Sequence, residues 1–419
     1  MNRSFYNGVG GTKAHQFAID TWANNIANIS TSGFKANIPQ FAELFSTKVA
    51  QINNQAAPVA SDAGNGVRAN SSAISMKTGS IMPTDRELDV ALGGEGWFGV
   101  MSSDGEAAHF TRNGSLMYNR DGDIVNADGG YMLGTLTNEL KEGVLKEMVR
   151  YIPLSGVDTQ EPLKLPQDLR IAPVPTRKVT IHGNLGAEGQ PASFNTNIFA
   201  RNGDVNVLKL RIEKTSEEPN KSLWNMYASI ENKEGKKIFE APPAPIVFGS
   251  NGAVESFQIP VIKNGDETIE LSIGEGFSGL VTLGGNLIDK SILADGVPSG
   301  KLTKYHFNRD GHIIAAFDNG RESAVGKLAV YHFANDQGLE KLGDNRFSAT
   351  ANSGAPLFYK NAAGENILGT DLIPYALELS NTSAAQALTE LIMLQKAFDA
   401  NAKAISTSDQ LIQQALKMV

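Results

Sequence analysis

Cysteine is absent from this chain of 419 residues, which excludes disulfide scaffolds, cysteine-ligated zinc ribbons and thiol catalysis. Long apolar runs are absent as well, since no stretch approaches the roughly 18 apolar residues that span a bilayer. The first 30 residues lack the short apolar block of a cleaved secretory signal. Lysine and arginine form no cluster, and the net charge is -8. We therefore expect no membrane insertion, no cleaved signal peptide and no nucleic-acid partner.

Glycine, by contrast, is abundant, with 42 residues, and it often follows Asn or Asp. Such dipeptides favour the turns that close β-hairpins. They recur at 104–105, 113–114, 121–122, 128–129, 202–203, 251–252, 264–265, 295–296, 310–311 and 319–320. Between them, short apolar stretches alternate as half-buried strands do, for example at 87–92. The middle of the chain is therefore predicted to be mostly antiparallel β-structure.

Two changes in composition divide this β-rich middle. Several prolines lie between residues 151 and 185, and their density favours an extended connector rather than a core element. A second β-rich block follows at 186–289, and the earlier turn pattern returns at 290–375. We therefore predict an inner β domain formed by 74–185 and 290–375, with an outer β domain of 186–289 inserted into it.

The N-terminal 30 residues are predicted to form a helix. Between Phe5 and Ile26, apolar residues recur at steps of four and three, as they do in the seam of a coiled coil. Thr12 and Gln16 interrupt this seam. The segment 36–73 that follows has a low density of apolar residues and is predicted to be a linker or arm.

The C-terminal 40 residues carry the stronger helix pattern. From Ala384 to Val419 the steps of four and three continue without a break, and no Pro or Gly follows Pro374. For both ends, the alternative is an ordinary amphipathic helix packed on the chain's own domain. The predicted fold is mainly β with helical termini. Residues 1–35 and 376–419 form a coiled-coil-like inner domain, and two β-rich domains complete the chain.

Each terminal segment has a single apolar stripe. As an isolated helix it would be only marginally stable, because helices are unstable without a packed face. Polar residues also interrupt the C-terminal seam, at Gln395 and Asp409. We therefore expect both helices to be largely disordered in the monomer and to order on assembly, as in folding coupled to binding. Pairing of the two stripes within one chain is the alternative.

Several ordered strings resemble the signatures of the bacterial flagellar rod and hook family. Residues 24–35, NNIANISTSGFK, resemble its NNIAN…T.G[FY]K signature, and residues 377–381, LELSN, resemble its LE.SN string. Further similar strings occupy 94–100, 110–114, 327–335, 343–345 and 391–401. The segment 382–387 departs from the family's VDL..E pattern, which leaves the start of the C-terminal helix in doubt.

The resemblance implies a structural subunit whose terminal helices build an inner tube while the β domains radiate outward. Residues 200–204 and 224–227 are similar to the outer domain of hook subunits. This favours a self-assembling subunit of the hook, the helical tube that joins the rod to the filament and transmits torque. A distal rod subunit is the alternative.

The same resemblance implies partners, a location and an interface. The partners are further copies of the chain, other axial proteins (rod, hook–filament junction and hook cap) and the flagellar type III export apparatus. The location is the hook and basal body, beyond the inner membrane. The assembly interface is predicted on the terminal helices, at Phe5, Val9, Ile19, Trp22, Ile26, Asn28, Leu388, Leu391, Phe398, Ile405, Ile412 and Leu416.

Motifs that would indicate chemistry fail in their context. Gly94, Gly96 and Gly99 form a G-x-G-x-x-G, but a strand and turn follow instead of the helix that a dinucleotide site needs. Residues 119, 121 and 123 resemble the start of a calcium loop. Ile124 stands where that loop needs Gly, and Gly130 where it needs the closing Glu. None of the six histidines has metal-ligand spacing. We expect no catalytic residue, cofactor or metal, and no enzyme. A secreted β-rich binding protein is the lower-ranked alternative.

Overall fold

The computed structural model describes residues 2–44, 47–49, 61–102, 105, 108–186, 190–284 and 290–417. A helix lies at each end, α1 at Asn2–Ala27 and α2 at Ala384–Lys417, with β-structure between them. The prediction of a mainly β chain with helical termini is confirmed. Three short 3₁₀ turns interrupt the β-structure, at Asn138–Glu142, Val157–Thr159 and Asp336–Gly338.

The strands fall into four consecutive groups. The first group follows α1: β1 Asn37–Glu43, β2 Thr47–Val49, β3 Ser61–Ala63 and β4 Val67–Ile74. The second comprises β5 Ile81–Pro83, β6 Val90–Leu92, β7 Trp97–Met101, β8 Ala108–Thr111, β9 Leu116–Tyr118, β10 Ile124–Asn126, β11 Tyr131–Leu136, β12 Val144–Leu145, β13 Glu161–Pro162 and β14 Arg170–Ile171.

The third group comprises β15 Lys178–Asn184, β16 Ala192–Phe199, β17 Val205–Glu218, β18 Lys221–Glu231, β19 Lys237–Glu240, β20 Ala244–Gly249, β21 Val254–Phe257, β22 Ile262–Asn264, β23 Glu267–Ser272, β24 Leu280–Val281 and β25 Ser291–Ala294. The fourth comprises β26 Gly300–Phe307, β27 His312–Phe317, β28 Glu322–Leu328, β29 Val330–Tyr331, β30 Glu340–Gly343, β31 Arg346–Ser348, β32 Tyr359–Lys360, β33 Asn366–Ile367, β34 Leu372–Pro374 and β35 Ala376–Glu378.

A two-stranded ribbon runs back along α1. Strand β1 pairs with β4 and β2 pairs with β3, in both cases antiparallel. The Asn7 Nδ2 donates to the carbonyl oxygen of Gly64 at 3.2 Å, which holds the ribbon beside the first turns of α1. The described part of segment 36–73 is thus paired with itself. Residues 45, 46 and 50–60 of that segment lie outside the described residues.

The second and fourth groups of strands form one unit, which we call the inner unit. Its central sheet has fourteen strands, and its main path is β12-β14-β26-β27-β28-β11-β7-β8-β31-β30. Strands from before and after the third group lie side by side, since β14 pairs with β26 and β11 with β28. The core is rich in aromatic side chains, among them Trp97, Phe98, Phe110, Phe307 and Phe347.

The third group forms a separate unit, which we call the outer unit. A six-stranded sheet (β16-β17-β18-β20-β21, with β19 on β18) and a five-stranded sheet (β22-β23-β15-β24, with β25 on β15) contribute to one core. Strand β17 shows why the sequence folds this way. Leu208, Leu210 and Ile212 point into the core, whereas Lys209 and Arg211 between them are exposed, in the two-residue period of a strand.

The limits of the outer unit differ from the predicted 186–289. Strand β15 begins at residue 178, and its hydrogen-bond partners are β23, β24 and β25. A bridge between Val174 and Val297 lies just outside the outer unit, where the chain enters and leaves. Turn dipeptides mark hairpins, but they do not show which sheet the strand before them joins.

The proline-rich segment 151–185 also differs from its prediction as a connector outside the core. Leu154, Leu163, Leu165 and Leu169 are buried in the inner unit. Proline prevents long ladders of backbone hydrogen bonds. An extended segment with short strands such as β13 and β14 can still turn alternate side chains inward.

Candidate functional site: the terminal helix pair and its junction

The two terminal helices pack against each other in opposite directions. The Ser4 and Ser408 hydroxyl oxygens lie 2.9 Å apart, which brings the start of α1 to the end of α2. A Cβ atom on Gly8 would lie 2.8 Å from the Ile405 Cγ1, and a Cβ on Gly11 would lie 2.6 Å from the Asn401 amide nitrogen. Glycine at these two positions therefore lets the helices approach closely.

The core between the helices is small. Its buried members are Ala18, Trp22, Ala387 and Leu394, and Ile19, Ile26 and Leu391 pack against them partly buried. Helix α1 is also covered on another side by the ribbon, where a Cβ on Gly10 would lie 3.0 Å from the Val67 carbonyl oxygen. The helix pair is therefore stabilised by few buried side chains relative to its length.

The contact face of α2 lies beside the predicted seam rather than along it. Ala387, Leu394 and Ser408 are buried against α1, whereas the predicted seam residues Leu388, Gln395 and Asp409 are exposed. Leu391, Phe398, Ile405 and Ile412 belong to both faces and are partly buried. The polar residues that were expected to need buried partners in the seam face solvent in this chain.

The exposed side of the helix pair carries large apolar side chains. Ile392 is 59% exposed, Leu388 54% and Leu416 72%. Tyr6, Phe17, Met393 and Leu411 are exposed on the same two helices. We call this set the open apolar face. Exposed apolar side chains of this size on two adjacent helices are candidate sites of interaction.

The twelve predicted interface residues divide by their burial in the single chain. Trp22 is buried in the helix pair, and Leu388 and Leu416 are exposed on its open side. The other nine are partly buried: Phe5, Val9, Ile19, Ile26, Asn28, Leu391, Phe398, Ile405 and Ile412. Asn28 lies at the end of α1, where its Nδ2 donates to the Asn24 carbonyl oxygen at 2.9 Å. The structure brings Ile19, Trp22, Ile26 and Leu391 together in one cluster.

Where the helix pair meets the inner unit, three charged side chains are buried together. The Lys35 Nζ lies 2.7 Å from the Glu378 Oε1, and the Arg112 Nη1 lies 3.4 Å from the Glu378 Oε2. All three side chains are at most 1% exposed. The Lys35 Nζ also donates to the Lys77 carbonyl oxygen at 2.9 Å, and the Gly79 N–H donates to the Glu378 Oε1 at 2.8 Å.

Backbone and amide bonds complete this contact region. The Gly33 N–H donates to the Glu378 carbonyl oxygen at 2.7 Å, and Gly33 has a φ of 70°. A Cβ there would lie 2.6 Å from the Arg112 carbonyl carbon, so this position needs glycine for both space and conformation. The Asn381 side chain accepts from the Ala36 N–H at 2.8 Å. We call the set Gly33, Lys35, Gly79, Arg112, Glu378 and Asn381 the junction.

The electrostatics of the junction are unbalanced, because two cations share one carboxylate. Burial lowers the pKa of Lys35, the nearby charge of Arg112 lowers it further, and Glu378 opposes both effects. Burial likewise lowers the pKa of Arg112, against the opposing charge of Glu378. The Arg112 guanidinium also lies 5.5 Å from the centre of the Trp97 ring, where a cation is attracted by the aromatic face.

No sequence motif by itself indicates a role for these junction residues. The signal was present, because Lys35, Arg112, Glu378 and Asn381 each lie in one of the strings that carry the family resemblance. Nothing in the sequence shows that those strings meet in space. Among the described residues, no group of three or more metal-ligating side chains is placed to hold a metal ion. Within that part of the chain, neither helix is long and apolar enough to cross a membrane.

Three family models match successive parts of the chain. The model "Flagella basal body rod protein" matches residues 5–35, "Flagellar hook protein FlgE/F/G D1 domain" matches 91–181, and "Flagellar basal body rod FlgEFG protein C-terminal" matches 374–418. The chain is thus similar to flagellar rod and hook proteins at both of its ends and in the inner unit. The first and third matches contain the helix pair and the Lys35 and Glu378 ends of the junction, and the second contains Arg112.

Individual relatives extend the similarity along the whole length of the chain. It is 29% identical to the flagellar hook protein FlgE of Borreliella burgdorferi over 466 residues, covering 100% of both chains. It is 25% identical to the FlgE of Salmonella typhimurium over 419 residues, covering 98% of both chains. A crystal structure of the Helicobacter pylori flagellar hook protein FlgE2 aligns with 70% of this chain and 98% of its own, at 16% identity and a TM-score of 0.48.

Proposed function

We propose that this chain is the structural subunit of the bacterial flagellar hook and assembles with copies of itself into a helical tube. One observation carries the proposal: proteins named flagellar hook protein align with essentially the whole chain, including the outer unit. In this proposal the tube joins the rod to the filament and transmits torque. A rod subunit is less supported, because the relatives that align over the full length bear the hook name.

The open apolar face supplies the driving force for assembly. Burying an isoleucine or leucine side chain stabilises a contact by about 1.5–3 kcal/mol, and the face offers Leu388, Ile392 and Leu416 in a single chain. A contact between two different surfaces of identical subunits generates an open helical filament when its rotation does not close into a ring. The predicted interface residues on both helices would then line the contacts between neighbouring helix pairs.

The units of the fold are assigned roles on the same basis. We assign the helix pair, within 1–35 and 376–419, to the wall of the inner tube, with the ribbon of 36–73 beside it. The inner unit and the outer unit would lie outside the tube. The outer unit, at 178–294 in this fold, would make lateral contacts that tune curvature and stiffness.

The remaining functional assignments follow from this role. The chain would act without catalysis and would bind no cofactor, metal or nucleic acid. Its partners would be the neighbouring axial proteins of rod, hook–filament junction and hook cap. It would reach the hook through the flagellar type III export apparatus without a cleaved signal peptide.

A charge placed on the open apolar face tests the proposal. The purified chain should form curved tubes under the electron microscope, whereas straight rods would favour the rod alternative and persistent monomers a binding protein. Ile392→Asp should block tubes, because an unpaired carboxylate would be buried in the contact. A loss of about 3 kcal/mol per contact raises the concentration needed for assembly about a hundredfold.

Ile238→Asp is the matched control, because Ile238 is 49% exposed on the outer unit, away from the helices. It should still form tubes. Both variants should keep the thermal transitions of the β units within about 1 °C, since exposed substitutions cost little. Normal tube formation by Ile392→Asp would contradict the assignment of the open apolar face.

A further inference from the structure

We propose that Glu378 is a positioning residue that fixes the angle between the helix pair and the inner unit. The proposal concerns the single chain before any assembly, and so goes beyond the hook function. It rests on the convergence of separate parts of the chain on one carboxylate. The Glu378 Oε1 accepts from Lys35 and from the Gly79 N–H, and the Oε2 faces Arg112.

Three segments meet at this carboxylate: two connect the helix pair and its ribbon to the inner unit, and the third connects α1 to the ribbon. The chain leaves α1 through 28–36, leaves the ribbon through 75–80 and enters α2 through 377–383. Asn381 ties the same three together, because it accepts from the Ala36 N–H and donates to the Ser75 and Lys77 carbonyl oxygens at 2.8 Å each. The covalent connections between the two parts of the molecule are thus held side by side at one place.

A buried ion pair at such a place is better suited to set geometry than to add stability. Desolvation of two charges offsets much of their attraction, so apolar replacements can be as stable as the pair itself. The carboxylate nevertheless accepts its donors only from particular directions. A helix pair held by apolar contacts alone could tilt while keeping most of its burial, whereas one held through Glu378 would lose a buried hydrogen bond on tilting.

The length of α2 makes this angle matter. The helix has 34 residues and at 1.5 Å per residue is about 51 Å long, so a tilt of about 10° at its base would move its far end by about 9 Å. Contacts between apolar side chains require heavy atoms within about 4–4.5 Å. A residue buried at the base of the helices would therefore decide whether their far ends meet a neighbour correctly.

The absence of native cysteine allows a direct measurement, because only introduced cysteines take up spin labels. Lys403→Cys on α2 and Arg120→Cys on the inner unit report the angle by pulsed electron paramagnetic resonance of dilute monomer. Lys13→Cys and Gln386→Cys report the helix pair itself. All four side chains are exposed. Each label pair is placed in the wild-type sequence, in Glu378→Gln and in Lys35→Met/Glu378→Gln.

The double variant separates positioning from stability. Glu378→Gln leaves two buried cations without their carboxylate, so a loss of stability is expected with it. Lys35→Met/Glu378→Gln removes one charge of each sign and should recover most of the thermal transition. In this double variant we expect the Lys403–Arg120 distance distribution to be at least twice as wide as in wild type, with the Lys13–Gln386 distribution unchanged.

A folded double variant whose Lys403–Arg120 distribution is as narrow as that of wild type would overturn the proposal. Loss of the inner unit's own thermal transition in the double variant would also overturn it, because the role would then be stability of the core. A wider distribution for both label pairs would show that Glu378 holds the helices to each other, and would equally contradict the assignment.

Discussion

The terminal helices and the β units of this chain bury their apolar side chains to very different extents. The outer unit surrounds Trp224 and Phe248 with side chains from two sheets, and both residues are at most 1% exposed. The helix pair, by contrast, buries Trp22 among three other core residues and leaves Ile392 and Leu416 in solvent. The β units thus bury large cores within one chain, whereas the helix pair buries few apolar side chains for two long helices.

In the proposed function, this difference assigns assembly to the helix pair. Most helical stability in proteins comes from packing of an apolar face rather than from intrinsic propensity. We therefore expect the helix pair, in which α2 packs on one side only, to be the least stable part of the fold and to gain most from a neighbour. The three tryptophans of the chain lie one in each part, Trp22 in the helices, Trp97 in the inner unit and Trp224 in the outer unit. Variants that keep only one of the three tryptophans therefore allow each part to be followed by fluorescence.

Among the changes that test the contrast between the helices and the β units, removal of the outer unit should have the largest effect. The Val174 N–H donates to the Val297 carbonyl oxygen at 2.9 Å, and the Val297 N–H returns a bond to Val174 at 3.0 Å. Replacing residues 175–296 with Asn-Gly should close this pair as a two-residue hairpin. One unfolding transition should disappear in calorimetry, while the transition of the inner unit, followed by Trp97, stays within a few degrees.

Joint loss of both transitions in the shortened chain would show that the two β units fold as one. The contrast would then be between the helix pair and one β core that both units form together. The decisive contrast is therefore between the shortened chain and wild type at the Trp97 signal.

Truncating the buried tryptophans gives the next largest effect. Trp224→Ala should destabilise the outer unit by about 3–5 kcal/mol, the usual cost of removing a large aromatic side chain from a packed core. Trp22→Ala should cost about 1–2 kcal/mol, because a small core collapses more easily around the space left behind. Chemical denaturation followed by circular dichroism, which does not depend on the tryptophan that was removed, measures both values.

Tyr227→Ala is the control for the outer unit, since Tyr227 lies on the same strand as Trp224 but is 40% exposed. It should cost under about 1 kcal/mol, as surface substitutions usually do. Equal costs for Trp22→Ala and Trp224→Ala would remove the distinction between the helix pair and the β units.

Hydrogen exchange of the helix amides gives the smallest but most direct test. In dilute monomer, amides of α2 should open with free energies at least about 2 kcal/mol below those of β28, because local stability follows local packing. In the polymer, the α2 amides should become as protected as the strand. Protection of the α2 amides equal to that of β28 in dilute monomer would contradict the assignment of the helix pair as the least stable part of the fold.

Much of the architecture could be predicted from local patterns. The heptad-like steps placed both terminal helices, and the Asn-Gly and Asp-Gly dipeptides indicated a β-rich middle. The departure of 382–387 from the family pattern left the start of α2 in doubt, yet the helix begins cleanly at Ala384. The Gln386 N–H donates to the Ser383 hydroxyl at 3.4 Å. Ser383 therefore caps the helix in the segment that departs from the family pattern.

The sequence by itself determined which residues share a helix face and where the chain turns, because these follow from the period of the backbone. The tertiary structure alone decided which of two adjacent faces of α2 meets α1, since Leu391 and Phe398 belong to both. It alone decided that Lys35, Arg112 and Glu378 are buried together. Lys35 and Glu378 are 343 positions apart, and a charge becomes a buried partner only through the segments that fold around it.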